Sequence, residues 1–237
     1  MAGSDTVYEG LGERFADIRA RINKSLERSD RPSHDVTLIA ISKSHPAEAV
    51  QQLLKLGAID IGENRVQEAE TKIDTIGRGK ARWHLVGHLQ ANKARRAVKL
   101  FDVIHSLDSV ELAQRLDRLC KEEGKNIQAL IQVDLGLEET KSGIPESGLI
   151  ELARAARKCE HLRLLGLMTL PPYFENAEQA RPFFRRLASL RNQLKDEGLF
   201  GRERGELSMG MTHDFEVAIE EGATMVRIGT AIFGERT

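Results

Sequence analysis

Lys43 closes an uncharged run, Val36-Thr37-Leu38-Ile39-Ala40-Ile41-Ser42, and precedes Ser44-His45-Pro46. The run has the length and β-branched content of a buried strand. A lysine at its end stands where the chain leaves the core. Partial burial there disfavours the ammonium form, and the neutral amine is the form that condenses with a carbonyl. The position suits Schiff-base chemistry. The plainer reading is a lysine that marks the strand end and extends into water, as most lysines do.

Arg227 is the second residue of chemical interest. It lies in Met225-Val226-Arg227-Ile228, where its neighbours are apolar, so strand alternation points it to the opposite face. A buried arginine needs a partner. An ion pair with an acidic strand residue such as Asp134 would serve, and so would a ligand acceptor. Ser208 and Thr230 supply hydroxyls near the same end of the chain. Gly210 and Gly229 would let backbone N–H groups approach an anion closely. Each turn alone reads as an ordinary glycine turn. Together they suit a phosphate.

These residues need elements to position them. Val7, Leu11, Phe15, Ile18, Ile22 and Leu26 mark one face of an amphipathic N-terminal helix, broken at Arg31-Pro32-Ser33-His34. Apolar runs and helical segments then alternate. Strands are expected at residues 36–42, 58–62, 83–86, 101–105, 126–134, 162–167, 206–208 and 225–228. Helices are expected at 46–56, 66–76, from 92, 110–120, 147–158, 180–194 and 215–222, with a short one after the last strand. Eight alternating strands without a composition shift argue for one closed (β/α)8 TIM-type barrel over residues 1–237, with residues 1–30 as an extra helix packed on it. An open doubly wound sheet should carry a glycine-rich phosphate loop after its first strand, where this chain has Ser42-Lys43-Ser44-His45.

A barrel places its site at the C-terminal strand ends. Those ends gather Lys43, Gly62-Glu63-Asn64-Arg65, Val86-Gly87-His88, His105-Ser106-Leu107-Asp108, Asp134 with Glu139-Thr140-Lys141, Met168-Thr169, Ser208-Met209-Gly210 and Arg227-Ile228-Gly229-Thr230.

Composition limits the alternatives. The formal net charge is −1, which gives no case for nucleic acid or a membrane surface. The longest apolar runs are strand-sized. Residues 1–13 are acidic and lack an apolar signal core. Cys120 and Cys159 lack metal-type spacing, so reduced thiols and a cytoplasmic location are expected. Cys120 falls on a helical apolar stripe and reads as core.

Taken in order, Ala40-Ile41-Ser42-Lys43, Gly62-Glu63-Asn64-Arg65-Val66-Gln67-Glu68, His84-Leu85-Val86-Gly87-His88-Leu89-Gln90-Ala91-Asn92-Lys93, His105-Ser106-Leu107-Asp108-Ser109, Lys141-Ser142-Gly143, Gly166-Leu167-Met168-Thr169, Leu207-Ser208-Met209-Gly210-Met211 and Arg227-Ile228-Gly229-Thr230-Ala231-Ile232-Phe233-Gly234 resemble the pyridoxal 5′-phosphate (PLP) homeostasis protein family. That family is related to the N-terminal barrel of alanine racemase. The resemblance implies PLP fold type III without the β-domain of alanine racemase. It implies PLP as cofactor, Lys43 as its Schiff-base residue and Arg227 facing the pyridine nitrogen. It implies that Ser208, Gly229 and Thr230 hold the phosphate, while Asn64 and Met209 line the pocket. His88 and His213 depart from the family pattern.

The implied function is intracellular PLP homeostasis, in which a non-catalytic carrier stores PLP or delivers it to apo PLP-dependent enzymes. The expected self-association is a monomer or weak dimer. An arginine at the ring nitrogen disfavours a second positive charge on the ring, and an unprotonated ring is a poorer electron sink. The alternative is an amino-acid racemase, which needs a second base. Tyr8 lies on the N-terminal helix and Tyr173 follows the sixth strand in a Pro-Pro-Tyr loop, so neither is placed as that base. A Schiff-base aldolase without cofactor would leave Arg227 unexplained. His45 stands near enough in sequence to assist Lys43.

Overall fold

A computed structural model of the chain describes residues 10–136 and 142–234. The readings placed on Val7, Tyr8 and Glu139-Thr140-Lys141 lie outside those residues. Eight parallel strands close into a barrel in chain order. They are β1 (Thr37–Ile41), β2 (Asp60–Glu63), β3 (Arg82–Leu85), β4 (Val103–Leu107), β5 (Ile127–Gln132), β6 (Leu162–Met168), β7 (Glu206–Met211) and β8 (Met225–Ile228). Helices α1 (Leu11–Arg28), α2 (Ala47–Lys55), α3 (Val66–Ile76), α4 (Ala94–Leu100), α5 (Val110–Glu122), α6 (Glu146–Arg157), α7 (Arg181–Asp196), α8 (Phe215–Glu220) and α9 (Thr230–Phe233) surround them. Closure is completed by β8 pairing with β1, which sets Arg227 beside Ile39.

Strand alternation divides the apolar residues into two cores. The outer core lies between sheet and helices and includes Ala40, Trp83, Leu85, Met209 and Val226. The inner core is built from strand residues and their ends alone, among them Ile39, Ile41, Val86, Val103 and Met225. The N-terminal helix buries Leu11, Phe15, Ile18, Ile22 and Leu26, the face its periodicity predicts. It holds the last elements of the barrel in place. Arg14 donates to Ile232 O (2.8 Å), and Arg31, just beyond the helix, donates to Ile219 O (2.6 Å) and Ala223 O (2.7 Å).

Two strands differ from expectation in ways that matter for the site. The fourth starts two residues late, because Phe101 N–H still bonds to Ala97 O at the end of α4. Asp102 then accepts the Trp83 N–H through its carboxylate (2.8 Å). His105 therefore sits in the middle of β4, not at its end. The seventh continues past Ser208 to Met211. Gly210 adopts φ +92°, which in sequence suggests a turn, but the ladder continues to Met211 with a register shift. Among the described residues no helix is long and apolar enough to cross a membrane, and no cluster of metal-ligating side chains is present.

Candidate functional site

Lys43 follows Ile39 and Ile41 on the inward side of β1, while Ala40 and Ser42 face the other way. Ser42 N–H still pairs with Gly62 O (3.0 Å), so the alternation extends to the strand's mouth. His45 N–H then bonds back to Ser42 O (3.0 Å), closing a turn in which Ser44 has φ +65°. A non-glycine residue there is strained and needs support. Lys43 is half-buried, and its Nζ has no hydrogen bond or ion pair among the described residues.

The support comes from behind the strand. Glu63 ends β2 and is fully buried. Its Oε1 accepts from Ser42 Oγ (2.5 Å) and from Lys72 Nζ. Lys72 also donates to Ser42 O (2.6 Å) and to Glu68 (3.1 Å), and Glu68 accepts the Ser44 N–H. The turn carrying Lys43 is thus tied by three charged side chains at its outer face. Burial pushes the Glu63 carboxyl up, and Lys72 pulls it back. Sequence reasoning missed Lys72. Its i,i+4 spacing to Glu68 on one helix was the available signal.

Arg227 is 4% exposed. Its Nη1 donates to Ser208 Oγ (2.5 Å) and its Nη2 to Thr169 O (2.8 Å). It makes no ion pair with Asp134 or with any other carboxylate among the described residues, so the ion-pair reading is set aside. Burial pushes the guanidinium down to about 10, with the Asp214 charge acting against that shift, so it remains cationic at neutral pH. A buried cation of this kind lacks a counter-charge in contact.

The mouth around these residues is compact. A Cβ on Gly229 would lie 3.3 Å from Ile41 O, so the β8 exit runs against the β1 end. The His45 ring stacks on Phe233 of α9 (4.9 Å between centroids), joining the Lys43 turn to the Gly229-Thr230 turn. Thr230 is exposed and Gly229 part-buried. The first N–H groups of a helical turn have no acceptor within it. Asn64 is part-buried at the β2 exit, and its carbonyl stands where a Gly87 Cβ would be (2.2 Å).

Some expected residues are placed differently. Ser208 lies within β7, not in a loop after it. It is buried inside the barrel between Arg227 and His105 (2.9 Å), because β7 continues beyond it. The Met209 side chain packs in the outer core, on the face away from the barrel interior. Gly210 is forced by contact as well as by φ: a Cβ would meet Ala218 Cβ at 2.6 Å. Tyr173 is 78% exposed and lies against the His213 ring. His213 also contacts Glu175 O (2.9 Å), and His88 pairs with Asp108 at the rim (3.3 Å).

The alanine racemase N-terminal domain family model matches residues 15–237. A pyridoxal phosphate homeostasis protein of Aquifex aeolicus is 42% identical over 224 residues, covering 94% of this chain and 97% of that protein. The chain belongs to the pyridoxal phosphate homeostasis protein family. The Escherichia coli K12 pyridoxal phosphate homeostasis protein is 37% identical over 233 residues, covering 95% of this chain and 97% of its own length. The structure of PipY from Synechococcus elongatus with PLP bound superposes with a TM-score of 0.82 at 37% identity, covering 94% of this chain and all 100% of that one. The (β/α)8 barrel is thus the architecture of a pyridoxal phosphate homeostasis protein.

Proposed function

We propose that this chain holds PLP as a Schiff base on Lys43 and serves in PLP homeostasis as a store or a donor to apo-enzymes. The observation that carries the reading is a pair of basic side chains without a carboxylate partner on neighbouring strands. An inward lysine without a partner among the described residues and a buried arginine without a carboxylate stand on adjacent strands, β1 and β8. An aldehyde fits the first and a ring nitrogen the second. When bound, PLP supplies an electrophilic carbonyl and an electron-withdrawing ring.

Each residue then has a task. The Lys43 amine forms the C=N bond to the aldehyde carbon, and the aldehyde oxygen leaves as water. Arg227 donates a hydrogen bond at the ring nitrogen and keeps it unprotonated, because two adjacent positive charges are unfavourable. That lowers the ring's power to stabilise a carbanion and favours holding over turnover. Backbone N–H groups at Gly229 and Thr230 suit the phosphate, with the Thr230 hydroxyl beside them. Asn64 and Gly210 border the pocket, and Met209 contributes its backbone. Ser208 acts on Arg227. A racemase would need a second base in reach, and the exposure of Tyr173 does not favour it as that base.

The test is transfer. Loaded protein is mixed with excess apo-aminotransferase, and recovered aminotransferase activity is followed beside the visible band of the donor. The reading expects the two to change together. A cofactor that stays on the protein against excess acceptor would remove delivery and leave storage alone.

A further inference from the structure

A line of buried polar groups crosses the barrel interior beneath the site. From Arg227 Nη1 it passes to Ser208 Oγ (2.5 Å) and on to His105 Nδ1 (2.9 Å). His105 Nε2 then meets His84 Nδ1 (2.9 Å), and His84 Nε2 meets Asp60 Oδ1 (2.8 Å). Ser208, His105 and His84 are all 0% exposed. The line runs from Asp60, which opens β2 at the N-terminal face, to Arg227 near the end of β8. A barrel interior is ordinarily filled by branched apolar side chains. Here a connected polar path from five strands takes that place.

The donor inventory fixes the direction of every bond. A carboxylate only accepts, so His84 must carry its proton on Nε2. A neutral His84 then offers a lone pair at Nδ1, so His105 must also donate from Nε2. His105 Nδ1 is left as an acceptor, which the Ser208 hydroxyl fills with its proton. Ser208 Oγ has only lone pairs left for Arg227. Burial lowers the affinity of both imidazoles for a second proton, most strongly at His105, in keeping with neutral rings. The order is not forced from the other end. A serine oxygen has two lone pairs and can accept from both neighbours.

We propose that Asp60, His84, His105 and Ser208 form a positioning relay for Arg227. The carboxylate at the far end of the barrel sets the tautomers of both histidines, and these commit Ser208 as an acceptor for the guanidinium. Nη1 is thereby fixed on Ser208 and Nη2 on Thr169 O, and the other N–H groups of Arg227 are left for an acceptor in the pocket. The proposal rests on the assignment of Arg227 to the PLP ring made above. It adds residues that touch neither the ring nor Lys43.

The experiment is nitrogen NMR of the imidazoles in ¹⁵N-histidine-labelled protein without PLP, in wild type, Asp60→Asn and Ser208→Ala. The PLP dissociation constant and the position of the visible band are measured on the same samples. In wild type both histidines should be Nε2–H tautomers. An amide at position 60 can donate as well as accept, so Asp60→Asn should bring in the Nδ1–H form at His84 and His105 together. Ser208→Ala should leave both tautomers as in wild type, because the direction is set at Asp60. Both variants should hold PLP about tenfold more weakly, as loss of a hydrogen bond to a charged group implies, and should shift the band. Nδ1–H at either ring in wild type, wild-type tautomers retained in Asp60→Asn, or a switch that leaves PLP affinity and band unchanged would each overturn the relay. If Asp60→Asn does not fold, altered tautomers in Ser208→Ala would do the same. Wild-type protein that takes up no PLP would remove the reading of the previous section, while a coupled switch would still support the relay.

Discussion

Glu63 and Lys72 offer the sharpest energetic test of how the Lys43 turn is held. Glu63 is 0% exposed and Lys72 is 4% exposed. Removing one member of a buried pair costs about 3–5 kcal/mol, because a charge is left behind. In Glu63→Gln, Lys72 keeps Glu68 at 3.1 Å and Ser42 O at 2.6 Å, so the low end applies. A loss of about 3 kcal/mol corresponds to a fall in Tm of roughly 6–12 °C at this chain length. Lys72→Met should cost as much at neutral pH. The double variant removes both charges and should cost about 3 kcal/mol, not the sum of about 6, giving a coupling of about 3 kcal/mol.

The pH dependence of Lys72→Met has a definite sign. Burial holds the Glu63 carboxyl above its usual value of 4.5, and losing Lys72 raises it further. The folded state then binds a proton more tightly than the unfolded chain. Stability is fully present near and below pH 4.5 and is lost as pH rises toward the raised folded value. The deficit should be smaller at pH 5 than at pH 8. Urea unfolding followed through Trp83, the 1 tryptophan of the chain and a buried one, reads all of this. Additive single losses, or a Lys72→Met deficit equal at both pH values, would refute the reasoning.

Other outcomes follow from the same geometry. Gly210→Ala should lose roughly 2–3 kcal/mol by overpacking and φ strain, since its Cβ would meet Ala218 Cβ at 2.6 Å and Phe215 Cα at 2.9 Å; calorimetry should show the lowered Tm. Tyr173→Phe should leave PLP uptake and transfer within about twofold, because exposed side chains rarely carry large effects; stopped-flow absorbance checks it. His84 and His105 are neutral and titrate below 6.5 in the fold, so stability should be full above about pH 6.5 and fall as pH drops, by about 1.4 kcal/mol per unit for each histidine. Urea unfolding from pH 7.5 to 5.5 should show a shallower fall in His105→Gln than in wild type.

Much of the barrel was legible because its strands are short β-branched or leucine-rich runs between amphipathic helices. β8 (Met225–Ile228) and α3 (Val66–Ile76) stand at the expected residues. Cys120 is buried in the outer core as its helical stripe indicated, and burial pushes its thiol up to about 11. Alternation placed Arg227 inward correctly. The same rule applied to a longer β7 would have put Ser208 inside and Met209 outside, but Gly210 suggested that the strand had ended. The Lys72 network and the histidine line could not be read from spacing. Each joins elements far apart in the chain, and contact between them exists only once the barrel closes.

The central claim is that Lys43 holds PLP covalently. The most direct measurement is the visible absorbance of the purified protein after PLP is added, before and after borohydride, followed by mapping of the modified peptide. The account predicts a yellow band that reduction fixes onto the peptide containing Lys43 and that Lys43→Ala abolishes. A protein that takes up PLP with no such band, or that carries the reduced label at another lysine, would contradict it.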